Sequence, residues 1–170
     1  DVISYIDQNQ NAFVSDLVEF LKIPSVSAQP EHREDVRRAG AHVQSQFDTL
    51  GFKTQMFEAD PHPIVYAEWL NAPGAPTILF YGHFDVQPPD PLELWKSGPF
   101  EPKIEGKNIY ARGACDDKGQ SFIHLKCLES FMKKRGNLPV NVKVILEGEE
   151  EIGSPNFQPF VESHTDLLSC

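Results

Sequence analysis

At 170 residues, with an apolar share of 40% and a charged share of 24%, the chain has the size and balance of one globular domain with a sizeable core. Its formal charge of −10 argues against a duplex nucleic-acid binder, which needs a basic stripe to neutralise phosphates, and against electrostatic docking to an anionic membrane. No apolar run approaches the ~20 residues of a membrane span, and Asp1-Val2-Ile3 does not begin a signal peptide.

The opening segment to Leu21 predicts an amphipathic helix: Val2, Ile6, Phe13, Leu17, Phe20 and Leu21 mostly keep helical spacing, and Ile23-Pro24 ends the pattern. Residues 31–50 form the clearest helix, with Val36, Ala39, Val43, Phe47 and Leu50 on one face and Gly51 as the stop. Lys53 to Phe57 and Ile64 to Leu70 read as strands, and Asn71 to Pro76 as a turn. Thr77 to Tyr81 is a continuous apolar run, as expected for a strand buried on both faces. Pro88 to Pro102 predicts an ordered loop anchored by Trp95 and Phe100, followed by a short strand from Asn108 to Ala111. Asp117 to Lys134 predicts a helix whose C-terminus is favoured by Lys133, Lys134 and Arg135. Val140 to Leu146 is a second buried strand, and Pro159 to Leu168 holds a short helix. This alternation indicates an α/β three-layer sandwich with a mainly parallel or mixed central sheet and helices on both faces. In such sheets ligands gather beyond the carboxyl ends of strands.

Three clusters lie at such ends. His83 and Asp85 are two residues apart, so their side chains can share a side, and a carboxylate commonly holds the free ring nitrogen of a metal-bound imidazole. A strand-capping histidine beside a solvated aspartate is the alternative. Asp116-Asp117 precedes a helix, where aspartate is a favoured N-cap, but one of the pair can cap while the other projects as a ligand able to bridge two cations. Glu149-Glu150-Glu151 reads either as a solvated acidic turn or as a metal ligand with a neighbouring general base. Consecutive strand residues face opposite ways, so the chain must bend here, and Gly148 and Gly153 permit it.

Cys115, Cys127 and Cys170 are widely spaced with no C-x-x-C pair, which suggests three reduced thiols in a cytoplasmic protein, with Cys115 a small filler beside the site. His32, His42, His62, His124 and His164 lack partners at ligand spacing. Neither a phosphate-cradling glycine loop nor a G-x-S-x-G elbow is present.

Gly82-His83-Phe84-Asp85-Val86-Gln87-Pro88, Gly113-Ala114-Cys115-Asp116-Asp117-Lys118-Gly119 and Glu147-Gly148-Glu149-Glu150-Glu151-Ile152-Gly153-Ser154 occur in this order, with the Trp95-to-Phe100 loop between the first two. Together they resemble the signatures of the aminoacylase/carboxypeptidase-type co-catalytic zinc metallopeptidases, and among these the carnosinase-like dipeptidases. The resemblance implies that His83 binds one zinc ion, Asp116 bridges two and Glu151 binds the other, with manganese as an alternative metal. It further implies Glu150 as the general base for a water bridging the ions, Asp85 as the residue orienting His83, and a cis peptide between Asp116 and Asp117. Cys115 stands where a small residue is more usual.

By the same resemblance, residues 1–170 correspond to the N-terminal part of a catalytic domain, a fold incomplete at its C-terminus. Relatives add a further acidic ligand, a late histidine and a smaller lid domain for dimerisation and substrate binding. His164 and Asp166 lie too near Glu151 to take those ligand positions. The expected full-length protein is a homodimeric, cytoplasmic dipeptidase acting on dipeptides or short peptides, with no nucleic-acid or membrane partner, and the isolated chain is expected to be inactive. Two other readings stay open: a deacylase of N-acyl amino acids, and a non-catalytic module using the same surface for a hard cation or a protein. His83 counts against an all-oxygen cation site.

Overall fold

The structure, a computed structural model, describes residues 1–170. Helix α1 (Val2–Leu21) starts where the Asp1 carboxylate accepts a bond from the Ser4 amide at 2.8 Å. A single 3₁₀ turn at Pro30–His32 leads into α2 (Arg33–Thr49), which buries Val36, Ala39, Val43 and Phe47 along one stripe, as the apolar spacing predicts. Four strands follow in one sheet: β1 (Lys53–Phe57), β2 (Ile64–Trp69), β3 (Thr77–His83) and β6 (Asn141–Glu147). Their order is β1-β2-β6-β3, with β1 and β2 antiparallel, β2 and β6 antiparallel, and β3 and β6 parallel. The sheet is therefore mixed, with one parallel pair. That pair matters most, because it brings two carboxyl ends to one edge with His83 opposite Glu147.

Strand β6 sits in the middle of the core and is buried from Val142 to Glu147. Its alternation serves two layers. Val142, Val144 and Leu146 pack with Val36, Val43 and Phe47 of α2 and with Phe122, Leu125 and Leu128 of α3 (Lys118–Arg135). On the opposite face Ile145 joins Ile64 and Tyr66 under Phe160 and Leu168. Those last two residues belong to α4 (Phe157–Ser163) and α5 (Thr165–Leu168), where the sequence suggested one helix. Pro159 is tolerated because it falls in the first turn of α4. Lys143 also points to this face and is satisfied by the carbonyls of Leu167 and Ser169 at 2.7 and 2.6 Å. Helices thus cover both faces, giving the three layers expected.

Between β3 and α3 the chain makes the proline-rich loop and a small hairpin, β4 (Lys103–Glu105) with β5 (Asn108–Tyr110). The sequence showed only the second of these strands, since β4 is fully exposed and has no apolar alternation. Trp95 anchors the loop as expected: its ring nitrogen donates to the Pro89 carbonyl at 2.7 Å, and the Arg112 guanidinium lies over its ring. Arg112 closes the circuit by donating to the Pro88 carbonyl at 3.1 Å. Lys118, at the start of α3, is fully buried and donates to the carbonyls of Phe20 and Ile23, tying α3 to the end of α1.

Just beyond β6, the backbone of Gly148 runs so close to the core that an added Cβ would lie 2.8 Å from Phe84 and 2.9 Å from Val36. Gly148→Ala is expected to destabilise the fold by about 1–3 kcal/mol through overpacking. Urea denaturation measures it, and an unchanged midpoint would show that the helix layer yields freely.

Candidate metal centre

The site is assembled from three segments that the sheet and α3 bring to one edge. His83 is the last residue of β3 and is buried, its side chain only 6% exposed. Its Nδ1 faces Asp85, 3.1 Å from the carbonyl and 3.3 Å from Oδ1. Its Nε2 points the other way, 3.1 Å from Oδ1 of Asp116 and 3.9 Å from Oε2 of Glu150. The sheet register continues one step past His83, with the Phe84 amide donating to the Glu147 carbonyl at 2.9 Å.

Asp85 has no exposed surface. Besides facing His83, its two carboxylate oxygens accept the backbone amides of Glu150 and Glu151 at 3.2 and 3.0 Å. One side chain therefore addresses the imidazole and also holds the backbone of the acidic pair. No local pattern signals this second task, because 65 and 66 residues separate the partners.

A cis peptide joins Asp116 and Asp117, as the resemblance implied. Asp116 projects toward His83 with its side chain 71% exposed. Asp117 occupies the N-cap position of α3 without making a side-chain cap bond. Its Oδ2 instead accepts from the Ser121 hydroxyl at 2.6 Å and from the His83 amide at 3.2 Å. Of the two sequence alternatives, projection describes Asp116, while Asp117 ties the helix start to the strand end.

The acidic run leaves strand geometry at once. Glu150–Ile152 is a 3₁₀ turn closed by Gly153 at φ +88°, a left-handed conformation that favours glycine. Glu151 turns toward His83 and Asp116, and its Oε2 accepts from the Gln87 side chain at 2.6 Å. One potential ligand atom each from His83, Asp116 and Glu151 lie within 4.8 Å of one another. An imidazole nitrogen with two carboxylate oxygens is a donor set suited to zinc or a similar borderline cation, so the residues fit a metal. Glu150 stands beside this triad, half-exposed.

Charge crowding shapes the protonation of the site. Burial opposes charging of His83, but the hydrogen bond and charge of Asp85, with Asp117 and Glu150 behind it, outweigh burial and raise its pKa to about 9. Burial raises Glu151, opposed by the Gln87 bond, and burial also raises Glu147. Glu147 lies under the site and accepts from Tyr81 at 2.8 Å and Ser154 at 2.9 Å. Gln87 and Glu147 stand inside the sequence motifs, yet only the fold reveals what they contact.

The other histidines have packing roles. His42, His124 and His164 stack on Phe20, Phe80 and Phe160, His32 faces Asp35, and His62 is buried against the Ser27 carbonyl. The three cysteines are unpaired and exposed. Cys115 lines a cleft of about 410 Å³ that opens beside Asp116 and is walled by Trp95, Tyr110 and Arg112.

The sequence pattern of the peptidase family M20/M25/M40 matches residues 79–168, the stretch from β3 to α5. The chain belongs to this family. It is 34% identical to the Beta-Ala-His dipeptidase of Homo sapiens over 97% of its own length and 35% of that protein. It is 32% identical to a Cys-Gly metallodipeptidase of Schizosaccharomyces pombe over 95% of its length and 36% of the relative. The solved structure of human carnosine dipeptidase 1 superposes with a TM-score of 0.92 at 34% identity, covering 97% of this chain and 38% of that one. The chain thus spans about a third of the length of these M20 relatives, and over that third the fold is the same.

A metal takes the neutral imidazole, so an ion entering this site below about pH 9 must displace the His83 proton. Zinc affinity is therefore expected to rise with pH, by up to about tenfold per unit, and to level off near pH 9. Titration calorimetry in buffers of different ionisation heat checks this, and binding at pH 7 without proton release would refute it.

Proposed function

We propose that the protein carrying this chain hydrolyses the peptide bond of dipeptides or short peptides at a metal centre held by His83, Asp116 and Glu151, with Glu150 as general base. The observation that carries this reading is the convergence of the three ligand atoms with Glu150 at their side, in a chain of the M20 family.

Zinc, or alternatively manganese, bound there would polarise the scissile carbonyl and make water a stronger nucleophile. Asp116, whose side chain is 71% exposed, is the ligand we assign to both ions of a two-zinc centre. Glu150 accepts a proton from the attacking water and returns it to the leaving amine, a shuttle its half-exposed position allows. Asp85 holds Nδ1 of His83, which leaves Nε2 as the ligand atom. Shared between two ions, the three ligands give each ion two, whereas catalytic zinc usually has three. We therefore assign further ligands to sequence outside residues 1–170, and the family resemblance, not the ligand count, is our ground for placing a lid domain that pairs two subunits there as well.

Two measurements test the proposal. In the full-length protein, Glu150→Gln is expected to lower kcat for a dipeptide by about 10²–10⁴-fold while metal content stays the same. Undiminished turnover would remove Glu150 as the base, and wild-type turnover of N-acyl amino acids in place of dipeptides would move the protein to the deacylase reading. Separately, residues 1–170 alone are expected to lose zinc on dialysis and to show no dipeptide turnover. Two tightly retained ions with activity would overturn the assignment of missing ligands.

A further inference from the structure

Glu149 is the member of the acidic run whose carboxylate bonds to His62 and Asn156 and to none of the metal ligands, and it is only 1% exposed. Its Oε1 accepts from the His62 amide at 3.0 Å and from the Asn156 side chain at 2.9 Å. Its Oε2 accepts from the Asn156 amide at 3.1 Å and from the same side chain at 3.0 Å. Every one of these partners is a donor. Asn156 also donates to the Asp60 carbonyl at 2.8 Å, and His62 contacts the Ser27 carbonyl through Nε2 at 2.9 Å. The Glu149 carbonyl, meanwhile, accepts the amides of Ile152 and Ser154 and so closes the turn that carries Glu150 and Glu151.

We propose that Glu149 is a positioning residue: its buried carboxylate clamps the Glu150–Ile152 turn to the Asp60–His62 loop and thereby aims both Glu150 and Glu151. Asp85 holds that turn from the β3 side and Glu149 holds it from the β1–β2 side. With only the first clamp the turn can pivot about Asp85, and Glu151 leaves the point where its oxygen meets His83 and Asp116. An acceptor-only group is required. An amide at this position would set its NH2 against N–H donors whichever way it turned.

The activity arm of the test rests on the hydrolytic reading above, but the metal arm does not. In the full-length protein, Glu149→Gln is expected to weaken cobalt(II) binding by about 10–100-fold and to alter the visible spectrum of the bound ion. Dipeptide kcat is expected to fall by a similar factor with KM little changed. Asn156→Ala, which removes the side-chain donor but keeps the backbone amide, is expected to move both readouts in the same direction by a few fold. Wild-type cobalt affinity and spectrum in a folded Glu149→Gln variant would overturn the proposal. Should that variant fail to fold, the same null result in Asn156→Ala overturns it. A wild-type protein without peptidase activity would sink the functional reading alone, since the cobalt titration still decides the role of Glu149.

Discussion

Two backbone amides and one imidazole meet on a carboxylate that water never reaches. Asp85 lies after β3, whereas its amide partners lie after β6, so this side chain joins the two strand ends whose parallel pairing creates the site. Removing it would break two part-buried amide bonds, each contributing about 1 kcal/mol. The neighbourhood supports the same joint from behind: the Ser25 hydroxyl donates to the Phe84 carbonyl at 2.6 Å, and the Val86 amide donates to the Ser25 carbonyl at 2.9 Å. A rigid seat for one acid thus sets the relative placement of an imidazole, a ligand carboxylate and a base.

The same seat explains how so much negative charge is tolerated in a small volume. Asp85, Glu147 and Glu149 are all essentially buried, and each accepts bonds from neutral donors: amides for Asp85, hydroxyls for Glu147, and amide groups for Glu149. Hydrogen bonds of this kind localise the acids without cancelling their charge. Of these three only Asp85 acts on His83 directly, and together with Asp117 and Glu150 it keeps the imidazole from losing its proton despite burial. A divalent cation is the natural counter-charge for such a cluster of acids.

The layered fold was legible because β3 and β6 are apolar runs and α2 keeps a helical stripe, all patterns that depend on neighbours along the chain. The central sheet came out mixed because β2 inserts antiparallel beside β6, a pairing no local pattern encodes. His83, Asp116 and Glu151 could be named through motifs, and the fold does bring them together. What stayed hidden were contacts across long sequence separations: Asp85 reaching the Glu150 and Glu151 amides, Asp117 tying α3 to β3, and Gln87 bonded to Glu151. The β4 strand was missed for the opposite reason, since an exposed hairpin needs no apolar signature.

One gradient in the centre bears on how an ion would be held. The side chain of His83 is 6% exposed whereas that of Asp116 is 71% exposed, although the two stand 3.1 Å apart. For an ion coming from solvent the open carboxylate would be the more accessible ligand and the enclosed imidazole the less accessible one. The two residues would thus divide the work of holding an ion: Asp116 would offer an accessible charge at the rim, and His83 an enclosed nitrogen at the base.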